Sequence, residues 1–72
     1  MTIKDHARIV CEHLVQGYIE NGSCSNDFPF WDVIRVIKHS YELEFISRFD
    51  AERYCYHMHI TFDEMLTADE TA

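Results

Sequence analysis

Near the start of the chain, Ile3, Ala7, Val10, Leu14 and Tyr18 recur at helical spacing. Val15 and Ile19 widen this stripe, and Asp5, Arg8, Glu12, Gln16 and Glu20 fill the opposite side. Residues three and four apart share one face of an α-helix, so the pattern predicts an amphipathic helix over about residues 2–20. Thr2 can cap it, with Asp5 as a shorter form of the capping-box acid. Asn21-Gly22 reads as a stop, because glycine accepts the left-handed conformation past a helix end. Gly17 weakens the interior by about 1 kcal/mol relative to alanine, and its missing side chain offers a neighbouring helix a close approach.

A polar link, Ser23 to Asp27, precedes a second periodic segment, predicted as a helix over about residues 28–45. Pro29 suits its first turn, Asp27 is a candidate cap, and Asp32 adds negative charge near the positive helix end. Phe30, Val33, Ile34, Ile37 and Tyr41 form the main stripe, while Trp31, Val36 and Leu43 lie off it. A helix apolar over more than one face is either central in the fold or a contact surface.

The last third supports two readings. As a helix over about residues 47–67, Ser47 caps it with Asp50 at the third position. Ala51, Tyr54, Cys55, Met58, Phe62, Met65 and Leu66 then follow the helical template. As a strand, Tyr54, Tyr56, Met58, Ile60 and Phe62 alternate with Cys55, His57, His59 and Thr61, pairing with "YELEFISRF" across "DAER". "DAER" lacks the Gly or Asn of a favoured hairpin turn, and no glycine or proline follows Pro29. The longer helical match predicts an all-α, compact three-helix domain. The alternative is an α+β fold, two helices followed by a β-hairpin over about residues 41–62. Seventy-two residues fit a single domain over 1–72, with a frayed acidic tail at 68–72.

Composition narrows the function classes. At 47% hydrophobic and 14% aromatic, the chain has ample material for a core. Its net charge is −7, from 13 acidic and 6 basic residues, which disfavours direct binding to nucleic acid, since phosphate contacts need clustered Lys and Arg. Residues 1–40 carry five acids and four bases, whereas residues 41–72 carry eight acids and two bases, Arg48 and Arg53. The negative field therefore lies on the C-terminal half and suits a basic protein surface. Three cysteines, no signal-peptide pattern at the N-terminus and no apolar run of membrane-spanning length point to a cytoplasmic chain with reduced thiols. Five histidines would erode the negative charge as pH falls, an effect on solubility more than on signalling.

The candidate chemistry is sparse. On a strand, Cys55, His57 and His59 would share a face and could hold zinc; on a helix they scatter. Cys11 and His13 add a second pair, but no Cys-x2-Cys or His-x3-His spacing completes a structural site. Cys11, Cys24 and Cys55 lack a glycine-framed nucleophile turn, and Cys24 in the polar link, the thiol most open to reaction, lacks the electropositive setting that reactivity needs. No glycine loop for phosphate is present. These features point away from an enzyme and call for no cofactor. Phe28, Trp31 and Asp32 at the start of the second helix, together with Glu42, Glu44, Glu52, Asp63 and Glu64, are the candidate partner-binding residues. The expectation is a small acidic protein–protein interaction module, a homodimer, that binds and modulates or inhibits a macromolecular partner such as a basic nucleic-acid-binding protein. By size and charge it resembles compact inhibitors encoded by phages or mobile elements. The alternative is a small zinc domain built on Cys55, His57 and His59.

Overall fold

Helix α1 (Ile3–Asn21) begins with a reciprocal cap. The Thr2 hydroxyl accepts from the Asp5 N–H at 3.2 Å, and the Asp5 carboxylate accepts from the Thr2 N–H at 3.4 Å. The helix stops at Gly22, whose φ of 72° places it in the left-handed region. The computed structural model describes residues 2–22, 24 and 29–68. Among them the chain is all-α, with no strand, and its further helices are α2 (Phe30–Glu42), α3 (Arg48–His57) and α4 (Phe62–Leu66). Pro29 occupies the N-cap of α2 rather than its first turn, and its carbonyl accepts from the Asp32 and Val33 N–H groups. The expected Asp27 cap lies outside the described residues. Ser47 caps α3 as its spacing predicts, accepting from the Asp50 N–H at 3.1 Å.

Two departures from the sequence pattern share one cause. The last third is two helices rather than one, and α2 stops at Glu42. Both α2 and α3 close with the paired bonds of a Schellman motif. After α2, the Phe45 N–H reaches the Ser40 carbonyl at 2.8 Å and the Glu44 N–H reaches Tyr41 at 3.0 Å. After α3, Ile60 reaches Cys55 at 3.0 Å and His59 reaches Tyr56 at 3.1 Å. The left-handed position of each motif is held by a residue other than glycine, Glu44 at φ 61° and His59 at φ 62°. The stops are thus invisible to a search for glycine. Helix α4 restarts on a capping box in which Thr61 and Glu64 exchange backbone-to-side-chain bonds, both at 3.1 Å.

A side chain in the left-handed region costs roughly 1–2 kcal/mol, against a glycine entropy cost of roughly 0.5–1 kcal/mol. Glu44→Gly and His59→Gly are therefore each expected to stabilise the fold by about 0.5–1 kcal/mol. Urea midpoints of the two variants check this; a loss of stability in both would contradict the assignment of these stops.

The core combines Cys11 and Val15 of α1 with Val33, Ile34 and Ile37 of α2. Ile46, Ala51, Tyr54, Cys55, Met58, Met65 and Ala68 complete it from the C-terminal half. Helix α2 touches each of the other three helices, while α1 and α4 do not meet. Its broad apolar surface is explained by this central position: only Trp31 remains exposed among its large apolar side chains, with Leu43 exposed at its C-cap. The hairpin reading of residues 41–62 fails on the same grounds. Tyr54 and Cys55 are neighbours and both are buried, whereas adjacent strand residues point to opposite faces. The close helix approach expected at Gly17 is not made, since nothing lies within 4 Å of a Cβ built there. No helix among the described residues is long and apolar enough to cross a membrane.

Candidate functional site

The candidate residues divide between the two ends of α2. Trp31 and Glu42 are eleven residues apart, roughly 16 Å along the helix, so the aromatic and acidic candidates do not form a single patch. At the N-terminal end Trp31 is 44% exposed. Its ring meets Phe30 edge-on at 5.4 Å, and Phe30 in turn meets Tyr18 at 5.8 Å. Asp32 pairs with Arg35 at 3.0 Å, which neutralises its charge locally. Phe28 lies outside the described residues.

The C-terminal end gathers the acids. Tyr41 and Phe62 meet edge-on at 5.1 Å, both half-buried against the core. This contact carries the acids that follow each ring, Glu42 and Glu44 on one side and Asp63 and Glu64 on the other, to the same end of the molecule. The Arg48 guanidinium lies 4.9 Å over the Phe62 ring and its Nε donates to Glu52 at 3.1 Å. Glu42 and Glu44 thus share a shallow groove with Tyr41 and Arg48 along this end, Glu52 pairs with Arg48, and the Glu64 carboxylate is held by the Thr61 N–H. His39 lies 3.7 Å from Glu42 and relieves its charge only when protonated.

The Cys55, His57 and His59 set does not assemble. Cys55 points into the core at 1% exposure. His57 ends α3, and His59 leaves the helix in the left-handed turn, its ring edge-on to Tyr18 at 6.1 Å. A continuous helix would have kept Cys55 and His59 on one side; the Schellman stop separates them. Cys11 is buried too, while His13 faces solvent. Among the described residues no three His, Cys, Asp or Glu side chains are placed to hold a metal ion.

The three thiols are unpaired, and burial raises the pKa of each. Cys55 is pushed up to about 11, with Glu52 adding to the effect of burial. Cys11 donates to the Ser40 hydroxyl at 3.6 Å, a contact that ties α1 to α2. Cys24, the thiol expected to be most open to reaction, is half-buried against the core yet the least buried of the three.

Two features escape the sequence pattern. The first is a clamp between α1 and α3. Glu12 Oε1 accepts from the Tyr54 hydroxyl at 3.2 Å and from Arg53 Nη2 at 3.1 Å, and Arg53 also reaches Asp50 at 3.5 Å. No local spacing relates Glu12 to Tyr54, so only the folded chain shows it. The second is the outer face of α3, where Phe49 is 74% and Tyr56 78% exposed. Both residues fall outside the buried template of the last third, and that omission is the signal that could have found them. No protein-family model, curated protein or solved structure matches the chain, so the functional reading rests on this geometry.

Proposed function

We propose that the chain is a small acidic interaction module that binds a macromolecular partner through a basic surface and modulates or inhibits it. The observation that carries this reading is the Tyr41–Phe62 contact, which joins the segment holding Glu42 and Glu44 to the one holding Asp63 and Glu64, with Glu52 at the border through Arg48. Carboxylates spaced around an aromatic base offer a cationic groove what a phosphate backbone offers it: ordered negative charge with an apolar platform between. A nucleic-acid-binding protein carries such a groove, and occupying it would block its normal ligand. By size and charge alone the chain resembles compact inhibitors encoded by phages or mobile elements. The module acts in the cytoplasm as a homodimer and by binding rather than catalysis. Support for the last point comes from the thiols: burial holds Cys11 and Cys55 protonated, the reverse of what a nucleophile needs.

The test is a variant combining Glu42→Gln, Glu44→Gln, Asp63→Asn and Glu64→Gln. Glutamine still completes the capping box at position 64, so the fold is retained. Partner affinity is expected to fall by about tenfold or more, since loss of even 1.4 kcal/mol has that effect, and wild-type affinity is expected to weaken with salt. Binding that ignores both the variant and the salt would exclude the acidic end as the docking surface.

A further inference from the structure

The outer face of α3 has a pattern that is complementary to itself. Phe49 and Tyr56 are seven residues apart, which returns them to nearly the same side of the helix, roughly 10 Å apart along its axis. Between them on that side lie Glu52 and Arg53. The order is therefore aromatic, acid, base, aromatic. The buried residues of the helix, Ala51, Tyr54 and Cys55, occupy the opposite side. We propose that this face joins two copies of the chain in an antiparallel, two-fold symmetric α3–α3 contact. A two-fold axis between positions 52 and 53 brings Phe49 against Tyr56 of the second copy and Glu52 against Arg53 of the second copy, each twice. An isologous interface requires this kind of self-complementarity.

Three observations select a second copy as the occupant. The first is the charge pattern itself, which places opposite signs together only when the two helices are antiparallel. The second is local neutrality. The chain carries a net charge of −7, yet Arg48 and Arg53 balance Asp50 and Glu52 on α3, and all four are already in ion pairs with their neighbours. Two copies can meet here without opposing their acidic ends. The third is a recess beside Tyr56. Tyr18, Ile19, Gly22, Tyr56, His57 and His59 surround a groove of about 420 Å³, and Ile19 in its wall is 46% exposed. Phe49 of the second copy, lying against Tyr56, has this groove to enter. Arg53 reaches both Glu12 and Asp50 through Nη2, so its guanidinium can take a further carboxylate.

The contact is short. Ten residues of helix span about 15 Å, and such an area falls short of the roughly 1,600 Å² typical of stable complexes. The dimer is therefore reversible and concentration-dependent. This inference deepens the homodimer part of the proposed function; of the acidic-end residues it uses only Glu52, which the acidic-end variant leaves unchanged, and it does not involve Glu42, Glu44, Asp63 or Glu64. The acidic-end variant leaves α3 untouched, so failure of one reading is distinguishable from failure of the other.

Sedimentation equilibrium over a concentration series tests it, with helicity followed by circular dichroism. The wild type is expected to fit a monomer–dimer equilibrium. Phe49→Ala removes an exposed ring without touching the core and is expected to weaken association about tenfold or more. Glu52→Arg and Arg53→Glu, each alone, set like charges against each other and are expected to be monomeric. Their equimolar mixture restores opposite charges on both sides and is expected to form a heterodimer. A wild type that stays monomeric throughout, a Phe49→Ala variant that associates as strongly as the wild type, or a mixture no more associated than its components would overturn the proposal.

Discussion

Replacing Ile37 by alanine is expected to destabilise the fold by about 2–5 kcal/mol, the range for removing a buried large aliphatic side chain. Ile37 is fully buried at the middle of α2, which, like α3, touches all three other helices. Its side chain therefore has no solvent-facing space into which neighbours could relax. A domain of this length has a total stability of roughly 4–11 kcal/mol, so the loss takes a large share of it. Leu43→Ala at the C-cap of the same helix serves as the reference. Leu43 is 61% exposed, and its truncation is expected to change stability by no more than about 0.5 kcal/mol. Urea unfolding followed by circular dichroism compares the two. Equal costs at the two positions would contradict the central placement of α2.

Alkaline pH is expected to unfold the protein progressively. Burial raises the pKa of Cys55 from 9.0 to about 11. Burial also raises Cys11, with Glu12 adding and the Ser40 hydrogen bond opposing. Tyr54 is raised by burial first, then by the charge of Glu12 and the hydrogen bond to it. In each case the folded state holds a proton that the unfolded chain releases more readily. Stability from these groups is complete below the unfolded pKa and is lost as pH climbs towards the folded one. For Cys55 that window runs from 9.0 to about 11, and the loss across it is about 2–3 kcal/mol. Denaturation midpoints measured across this window should fall steadily, and Cys55→Ala should flatten part of the slope. Midpoints that stay level would show that these groups titrate alike in the folded and unfolded chain.

The helices were legible because apolar spacing and core burial coincide. Ala51, Tyr54, Cys55, Met58 and Met65 match the helical template and are all buried, even though α3 and α4 are separate elements. The turn between them preserves the direction of the stripe, so periodicity alone reads straight through it. What periodicity cannot show is the backbone of His59 and Glu44, where residues other than glycine hold left-handed positions. The capping box at Thr61 and Glu64 was available as a sequence signal, hidden inside a template that already fitted. Ser47, Thr2 and Gly22 act as their spacing implies because caps are local.

The candidate surface was legible in part. The acidic bias of residues 41–72 is a matter of counting. Its gathering at one end of the molecule depends on the Tyr41–Phe62 contact, which joins residues twenty-one positions apart in sequence. Trp31 and Asp32 belong to the other end of α2, a separation that helix length alone would have revealed. Cys55, His57 and His59 looked like a ligand set because three suitable side chains fall within five positions. The helix and its stop send them to the core, the helix end and the Tyr18 ring.

The most direct test of the acidic end as the docking surface is a paired capture experiment. The wild type and the variant combining Glu42→Gln, Glu44→Gln, Asp63→Asn and Glu64→Gln are used as baits in native-host extract, at low and at high salt, with quantitative mass spectrometry. The account predicts that the protein most enriched by the wild type is basic, and that its recovery drops about tenfold or more with the variant and again at high salt. Equal recovery by both baits at both salt concentrations would contradict it.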